Sequence, residues 1–357
     1  MEGGGKSQLI NCLRFPCAIL VVAIHSFVDG NILSIAISHV IAHIAVPMFF
    51  LISGYLFYKG LEVWKWNKWI EKIGSRVKSL FIPYIIWICL YALFNQTIPS
   101  TIDFWCSQKW NIARLDFWGN PNLSTAPLLV PMWFIRDLLV VCILLTPLIY
   151  LLLHKESPKL VSQVSVVIIT LLYFTQTSLQ IPGLTSLSIF YFSLGAYLSL
   201  HHKNMESVMT GLVLRYSVYV FTMILLIVEI IFDGHNTLIG DYIYPFYVLG
   251  GVFSFIGIFQ RVITSSSTVA NKLIMFCETN ASSCFFVFAS HIFILPIIKQ
   301  VLIKLISLST PFVSISSILQ SSILYFGTIV STVFTCVLLY RVVINRLPIV
   351  SKLLCGK

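Results

Sequence analysis

Long apolar runs separated by short polar segments dominate the pattern of this chain. A run of about 17–25 apolar residues is long enough to cross a bilayer as an α-helix. By that measure the sequence predicts about ten spans, near residues 8–28, 37–58, 78–97, 130–153, 160–178, 185–201, 209–232, 241–261, 284–304 and 319–343. The pattern therefore predicts an all-α fold, a polytopic helix bundle in a membrane.

Composition agrees with this fold class. The 357 residues are 58% hydrophobic and 10% charged, whereas soluble domains carry about 25% charged residues. No linker, low-complexity stretch or solenoid-length repeat divides the sequence. We therefore predict a single transmembrane domain over residues 1–357, without an appended soluble domain.

Charge is distributed unevenly between the two predicted sides of the membrane. If the N-terminus is cytoplasmic, all but five of the 23 Lys and Arg residues fall on the cytoplasmic side. The five are Lys109, Arg114, Arg136, Lys299 and Lys304. This bias follows the positive-inside rule and predicts that both termini are cytoplasmic. It accounts for the net charge of +10 without nucleic acid as a partner.

Two predicted connections are rich in aromatic residues. Residues 59–75 alternate Trp with Lys, which is typical of an amphipathic segment on anionic lipid, or of a basic loop that only fixes topology. The outer loop, about residues 98–129, combines Trp and Phe with acidic and amide side chains. Such a loop suits contact with sugar rings or anchoring at the membrane interface.

The first span carries two ionisable residues, Arg14 and His25. They differ by 11 positions, which on an α-helix is about 20° of rotation and about 16 Å of rise. Both side chains therefore share one stripe, with Arg14 near the cytoplasmic rim. Because hydrocarbon penalises such residues, the pair predicts a functional site. The alternative is a snorkelling arginine with a histidine bonded to a neighbouring helix.

Six stretches occur in the order in which a known family carries similar motifs. They are "RFPCAILVVAIH" from Arg14, "VPMFFLISGYLFY" from Val46, "SRVKSLFIPYIIW" from Ser75, "MWFIRDLLVVCILLTPLIY" from Met132, "YFSLGAYL" from Tyr191 and "SSCFFVFASHIFIL" from Ser282. Together they resemble the acyltransferase-3 family, polytopic enzymes that acylate cell-surface carbohydrates. The resemblance extends from Leu13 to about Leu295 and is specific to the family, though not to one acceptor.

The resemblance implies transfer of an acyl group, usually acetyl, from cytoplasmic acetyl-CoA to a hydroxyl of a cell-surface or lipid-linked carbohydrate. It implies a multi-pass protein of the bacterial inner membrane that needs no metal. Arg14, Arg76 and Lys78 are candidates for binding the phosphates of the donor. His25 is the candidate general base, and a covalent acyl-histidine is an alternative.

Other residues are candidates for the acceptor or for the oxyanion of the intermediate. Ser53, Arg136 or a backbone amide near Gly54 could stabilise the oxyanion. Trp133 suits an interfacial belt or a contact with the sugar or the donor, and His291 suits a structural or a catalytic role.

Two further pairs of ionisable residues stand close together in the sequence. Arg136 and Asp137 are adjacent and are expected to pair with other residues, because neighbours on a helix do not face each other. His39 and His43 are one turn apart, a spacing that could bind a metal. Since no nearby Cys, Asp or Glu completes a ligand set, contact with the acceptor is favoured over a metal.

A transporter, or a flippase for a lipid-linked saccharide, is the alternative function. It too would have many spans and buried ionisable residues. The sequence has no matching halves, no paired broken spans and no row of acidic residues. A structural scaffold gives no reason for the stripe that holds Arg14 and His25. The sequence therefore favours the acyltransferase.

Overall fold

The structure, a computed structural model, confirms the all-α prediction for the part of the chain that it describes. The described residues are 8–61, 63–96, 127–177, 179, 181, 183–205, 208–209, 211–232, 237–309 and 316–356. Most of the aromatic outer loop at residues 98–129 lies outside them. The described residues form helices joined by turns, with one isolated bridge between Ile181 and Leu184.

The α-helices follow one another along the chain, several of them joined by π- or 3₁₀-helical turns. They are α1 (Gln8–His25), α2 (Ala45–Tyr58), α3 (Trp66–Arg76), α4 (Ile82–Gln96), α5 (Trp133–Val140), α6 (Thr146–Leu153), α7 (Lys159–Phe174), α8 (Ser186–Leu200), α9 (Leu212–Ile231), α10 (Leu238–Thr264), α11 (Thr268–Asn280), α12 (Cys284–Ser309), α13 (Ser317–Val342) and α14 (Pro348–Cys355). Every predicted span overlaps a helix of this series.

Eight helical segments of the described chain are long and apolar enough to cross a membrane. The apolar helices α7 and α8 are shorter, with 16 and 15 residues. The protein is therefore an integral membrane protein with eight candidate spans. The count of ten and the side of each terminus stay predictions.

The second span differs from the continuous helix that its apolar run predicts. Before α2 the chain forms an α-helical turn at Ile32–Ser34, a π-helical turn at Ile35–Val40 and a 3₁₀ turn at Ile41–Ile44. Asn31 begins this series by accepting a hydrogen bond from the Ser34 amide. Turns of the π type also occur at Val77–Phe81 and Val141–Leu145. Such turns are frequent at functional sites.

Helix α11 lies where the apolar pattern predicts only a connection between spans. It contains Asn271, Lys272, Glu278 and Asn280, which lower its hydropathy below that of a span. Its apolar face packs on α1, where the rings of Phe15 and Phe276 meet edge to face, 5.3 Å between centroids. Tertiary packing of one apolar face thus sustains this polar helix.

The chain divides into two compact units, and one of the three points where it passes from one to the other falls within α2. The first unit comprises Met1–Phe49 and Lys203–Val342. In its core, Phe15, Ala18 and Val22 of α1 pack with buried residues of α12 and α13, including Val287 and Cys336. Helix α1 is thereby buried on the face formed by Phe15, Ala18 and Val22, which continues to His25 at the end of the helix.

The second unit comprises Phe50–His202 and Val343–Lys357. Two glycines bring α2 and α8 into close contact: a Cβ at Gly54 would collide with the Phe192 carbonyl, and one at Gly195 would collide with the Leu51 carbonyl. Small residues of this kind let membrane helices approach closely. The Trp87 indole donates to the Leu354 carbonyl, 2.9 Å, and so ties α14 to α4.

Candidate active site

His25 is the last residue of α1 and lies half-buried in the first unit. Its imidazole makes no hydrogen bond to the residues that the structure describes. Its ring lies against that of His291, with 5.1 Å between centroids and 37° between the planes. His25 is therefore held in place by packing, and its two nitrogens stay available for a ligand.

His291, in the first third of α12, is fully buried. Its Nδ1 lies 2.7 Å from the Phe288 carbonyl oxygen and 3.3 Å from that of Val287. Since carbonyl oxygens only accept, Nδ1 carries the proton, and Nε2 of the neutral ring carries a lone pair. Nε2 is buried and has no hydrogen-bond partner among the described residues. The structure thus places an unused basic nitrogen beside His25.

Side chains from three elements hold the end of α1. The last carbonyls of a helix have no partner within it, and a bilayer offers no water to satisfy them. Ser38 donates to the Ala23 carbonyl at 2.7 Å and also bonds Tyr325 at 2.9 Å. The Lys299 ammonium donates to the Phe27 carbonyl at 2.7 Å. These bonds fix the position of the helix end that carries His25.

Lys299 and Ser38 were not among the residues that the sequence singled out. In the sequence, Lys299 is only one of the charges on the predicted outer side, and Ser38 is only a small residue in an apolar run. A usable signal does exist for Lys299. His291, Leu295 and Lys299 follow one another at intervals of four residues, so they share one face of α12.

The two histidines after α1 have aromatic partners. His39, in the π-helical turn, stacks on Phe27 with 4.3 Å between ring centroids. His43 Nδ1 lies 3.0 Å from the Tyr244 hydroxyl of α10. No three His, Cys, Asp or Glu side chains of the described chain come together as metal ligands. The structure therefore gives this pair of histidines contacts with aromatic side chains.

The predicted donor-binding cations fall into both units. Arg14 is half-buried on α1, which runs as one helix through Arg14 and His25, as the spacing predicts. In the second unit, Arg76 ends α3 half-buried, and Lys78 is exposed in the π-helical turn that follows. A joint contact of all three with one donor molecule stays a prediction.

Arg136 and Asp137 pair with each other, so the expectation that they pair elsewhere is wrong for their main contact. Arg136 donates to one Asp137 oxygen from Nε at 3.0 Å and from a terminal nitrogen at 2.8 Å. Thr185 donates to the other oxygen at 3.1 Å. Both charged residues are buried, with 2% and 0% exposure. The long Arg136 side chain folds back because an unpaired charge in this interior is costly.

The remaining candidates belong to the second unit. Ser53 is half-buried on α2. Gly54 lies in the middle of α2, where backbone amides are used by the helix itself, so its evident role is close packing on Phe192. Trp133 is half-buried at the start of α5, and its ring lies 6.4 Å from that of Phe50. Their roles in binding the oxyanion or a sugar stay predictions.

Comparison with known proteins gives a relative and a family. A segment of 177 residues, 46% of this chain, is 30% identical to the succinoglycan biosynthesis protein ExoH of Rhizobium meliloti (strain 1021). The chain covers 42% of the length of that relative. No solved structure matches. A family model described as an acyltransferase domain matches residues 8–341, nearly the whole chain. This integral membrane protein therefore belongs to the acyltransferase-3 family, as its sequence motifs predict.

Proposed function

We propose that this protein transfers an acetyl group from acetyl-CoA to a hydroxyl of a cell-surface or lipid-linked carbohydrate, with His25 as the general base. The observation that carries the proposal is an imidazole at the end of a membrane helix, half-buried, without a hydrogen bond to the described residues, beside a second imidazole. Family membership supports acyl transfer. The name of the relative, a succinoglycan biosynthesis protein, supports an acceptor from polysaccharide synthesis.

The proposed step is a direct transfer. His25 removes the proton of the acceptor hydroxyl as its oxygen attacks the thioester carbonyl. A new C–O bond forms, the C–S bond breaks, and the proton passes from His25 to the departing thiolate. The products are an acetyl ester and coenzyme A with a free thiol, so no other reactant is needed.

His291 selects which nitrogen of His25 acts as the base. Its Nε2 lone pair can accept a hydrogen bond from one N–H of His25 after a small rotation of either ring. The other nitrogen of the neutral His25 ring is then unprotonated and faces the acceptor. The buried carboxylate of a serine protease triad orients its histidine in the same way. His291 is thus a positioning residue in this proposal.

Arg14, Arg76 and Lys78 would bind the phosphates of the donor. Guanidinium groups match phosphate oxygens with forked donors, and such charge-assisted bonds are stronger than neutral ones. The distance of about 16 Å along α1 from Arg14 to His25 leaves room for the pantetheine arm between them. The phosphates would then lie at one end of the stripe and the thioester at the other.

Binding of the donor is the first test. Purified protein in detergent is titrated with acetyl-CoA by calorimetry, with acetate and adenosine as controls. Labelled acetyl-CoA is then supplied to proteoliposomes that contain envelope saccharides from the source organism. Saturable binding with label appearing in carbohydrate ester is the expected result. A folded protein that does not bind acetyl-CoA and that moves saccharide across the bilayer would be a transporter.

A further inference from the structure

Glu229, in the last turn of α9, is a buried carboxylate that the proposed chemistry does not use. It is 0% exposed. Neither of its carboxylate oxygens has a hydrogen-bond partner among the described residues. Helix C-termini also disfavour negative charge. None of the described residues therefore hydrogen-bonds to a carboxylate here, although a leucine would fill the same place at no electrostatic cost.

The surroundings of Glu229 come from α10, which packs along α9. Asp241 and Tyr247 lie near enough to interact electrostatically with Glu229. Tyr244, between them on the same face of α10, bonds His43 at 3.0 Å. Glu229 and His43 therefore approach one stripe of α10 from two different elements.

This stripe lies at the same end of the first unit as His25. Phe27, two residues beyond His25, stacks on His39, and His43 follows His39 by one turn. Ile44 in turn lies against α10, where a Cβ at Gly251 would come within 2.7 Å of its side chain. A continuous series of contacts thus links the helix end that carries His25 to the turn of α10 that faces Glu229.

We propose that Glu229 binds the carbohydrate acceptor by accepting hydrogen bonds from two of its hydroxyl groups. The inference rests on the proposed function, because it assigns the acceptor to the first unit beside His25. A carboxylate has two oxygens with free lone pairs and can accept from a pair of donors at once. The aromatic rings of Tyr244 and Tyr247 add the apolar faces that sugar-binding sites combine with a few polar groups.

A cation is the competing ligand for a lone carboxylate. Oxygen-liganded cations need about six or more oxygen donors, and no group of three His, Cys, Asp or Glu side chains assembles within the described chain. Two cations of the first unit also have other contacts: Lys299 bonds the Phe27 carbonyl, and Arg215 bonds the Met209 carbonyl. Hydroxyl donors of the acceptor therefore match Glu229 best.

The test compares Glu229→Leu and Glu229→Gln with Thr222→Val. Thr222 lies on the same face of α9, but its hydroxyl already accepts from Ser254 at 3.0 Å, so Thr222→Val is the matched control. Each variant is measured in proteoliposomes with labelled acetyl-CoA and envelope saccharides from the source organism. The readouts are melting temperature, affinity for acetyl-CoA and the KM for the saccharides.

For Glu229→Leu we expect a melting temperature equal to or above that of the wild type, because an apolar residue replaces a buried unpaired carboxylate. The KM for the saccharides should rise about tenfold or more, because the acceptor loses its hydrogen-bond partner. Glu229→Gln should show a smaller rise, and Thr222→Val none. The affinity for acetyl-CoA shows whether each variant keeps an intact donor-binding site.

Three results would overturn the inference. One is a wild-type KM in Glu229→Gln, which decides the matter even if Glu229→Leu fails to fold. Another is a lower melting temperature of both variants with unchanged KM, which would make Glu229 structural. The third is transfer that requires Na⁺ in the wild type but not in Glu229→Gln, which would assign the site to a cation. If the wild type itself fails to bind acetyl-CoA, the proposed function fails instead.

Discussion

Two pairs of ionisable side chains in the described part of the chain, one fully buried and one with a half-buried member, have different surroundings. In the second unit, Arg136 and Asp137 form a fully buried ion pair, and Thr185 donates to the remaining Asp137 oxygen. In the first unit, His25 lies against His291 without a hydrogen bond, and His291 Nε2 has no partner among the described residues.

Under the proposed function, this difference separates a structural pair from a catalytic one. Buried polar groups that satisfy each other stabilise one arrangement of the chain and leave little for a substrate. A buried polar atom without a partner has a cost, and a ligand that supplies the partner can offset it. Hydrogen-bond satisfaction, more than burial, is therefore the reason why we propose the first unit as the place of the chemistry.

The largest expected effect follows from His25→Ala. Loss of a general base slows a reaction by about 10²–10⁴-fold, so acetyl transfer in proteoliposomes should fall into that range. The melting temperature should change little, since His25 makes no hydrogen bond to the described residues. His201→Ala is the control, because His201 lies in the second unit, where its ring bonds the Leu153 carbonyl at 3.1 Å and packs against Tyr197. Turnover of His25→Ala at the wild-type rate would remove His25 from the mechanism.

The Arg136–Asp137 pair should respond in stability. Asp137→Ala leaves a buried guanidinium without its carboxylate, which costs about 3–5 kcal/mol, and the protein should lose most of its folded fraction in denaturant titrations. The double variant Arg136→Met with Asp137→Leu removes both charges and should recover most of that loss.

Turnover of the double variant sharpens the comparison. A stable double variant with normal acetyl transfer confirms that the pair serves the fold. A stable but inactive double variant would instead support Arg136 as a donor to the oxyanion, the role that the sequence suggests.

The helices, the family and the first ionisable stripe could all be predicted from the sequence. Long apolar runs have one stable form in a bilayer, so the apolar helices could be located from the pattern of apolar residues along the chain. Arg14 and His25 could be paired because the helical period is fixed. Polar helices such as α11 could not be predicted, since its helical state depends on packing against Phe15.

Contacts between distant parts of the sequence account for the rest. Nothing in the sequence shows that Lys299 reaches the Phe27 carbonyl, or that Ser38 and Tyr325 meet beside Ala23. The pairing of Arg136 with its own neighbour was also predicted wrongly, because helical spacing describes Cβ directions and neglects how far an arginine can fold back. Glu229 could not be predicted as a site residue, because its lack of hydrogen-bond partners among the described residues is seen only in three dimensions.

Lys299 offers a test of positioning in the first unit. Lys299→Met removes the ammonium that holds the Phe27 carbonyl, so the end of α1 should shift. Misplacement of a catalytic group by about 1 Å can cost about 10²-fold in rate, and we expect kcat to fall by about 10- to 100-fold. Lys299→Arg keeps a donor and should restore part of the rate. An unchanged KM for acetyl-CoA distinguishes misplacement of the base from loss of donor binding.

The smallest predicted effect concerns Arg14, at the other end of the stripe from His25. Arg14→Ala should weaken acetyl-CoA binding about tenfold, which is about 1.4 kcal/mol, because a charge-assisted contact with a donor phosphate is lost. Lys272→Ala is the control, since Lys272 is exposed on α11 and lies on the same predicted side of the membrane. Calorimetry with acetyl-CoA and with dephospho-CoA measures which phosphate is involved. Equal affinities for wild type and Arg14→Ala would show that the donor phosphates bind elsewhere. His25 would then be the only residue of the stripe with a proposed role in the reaction.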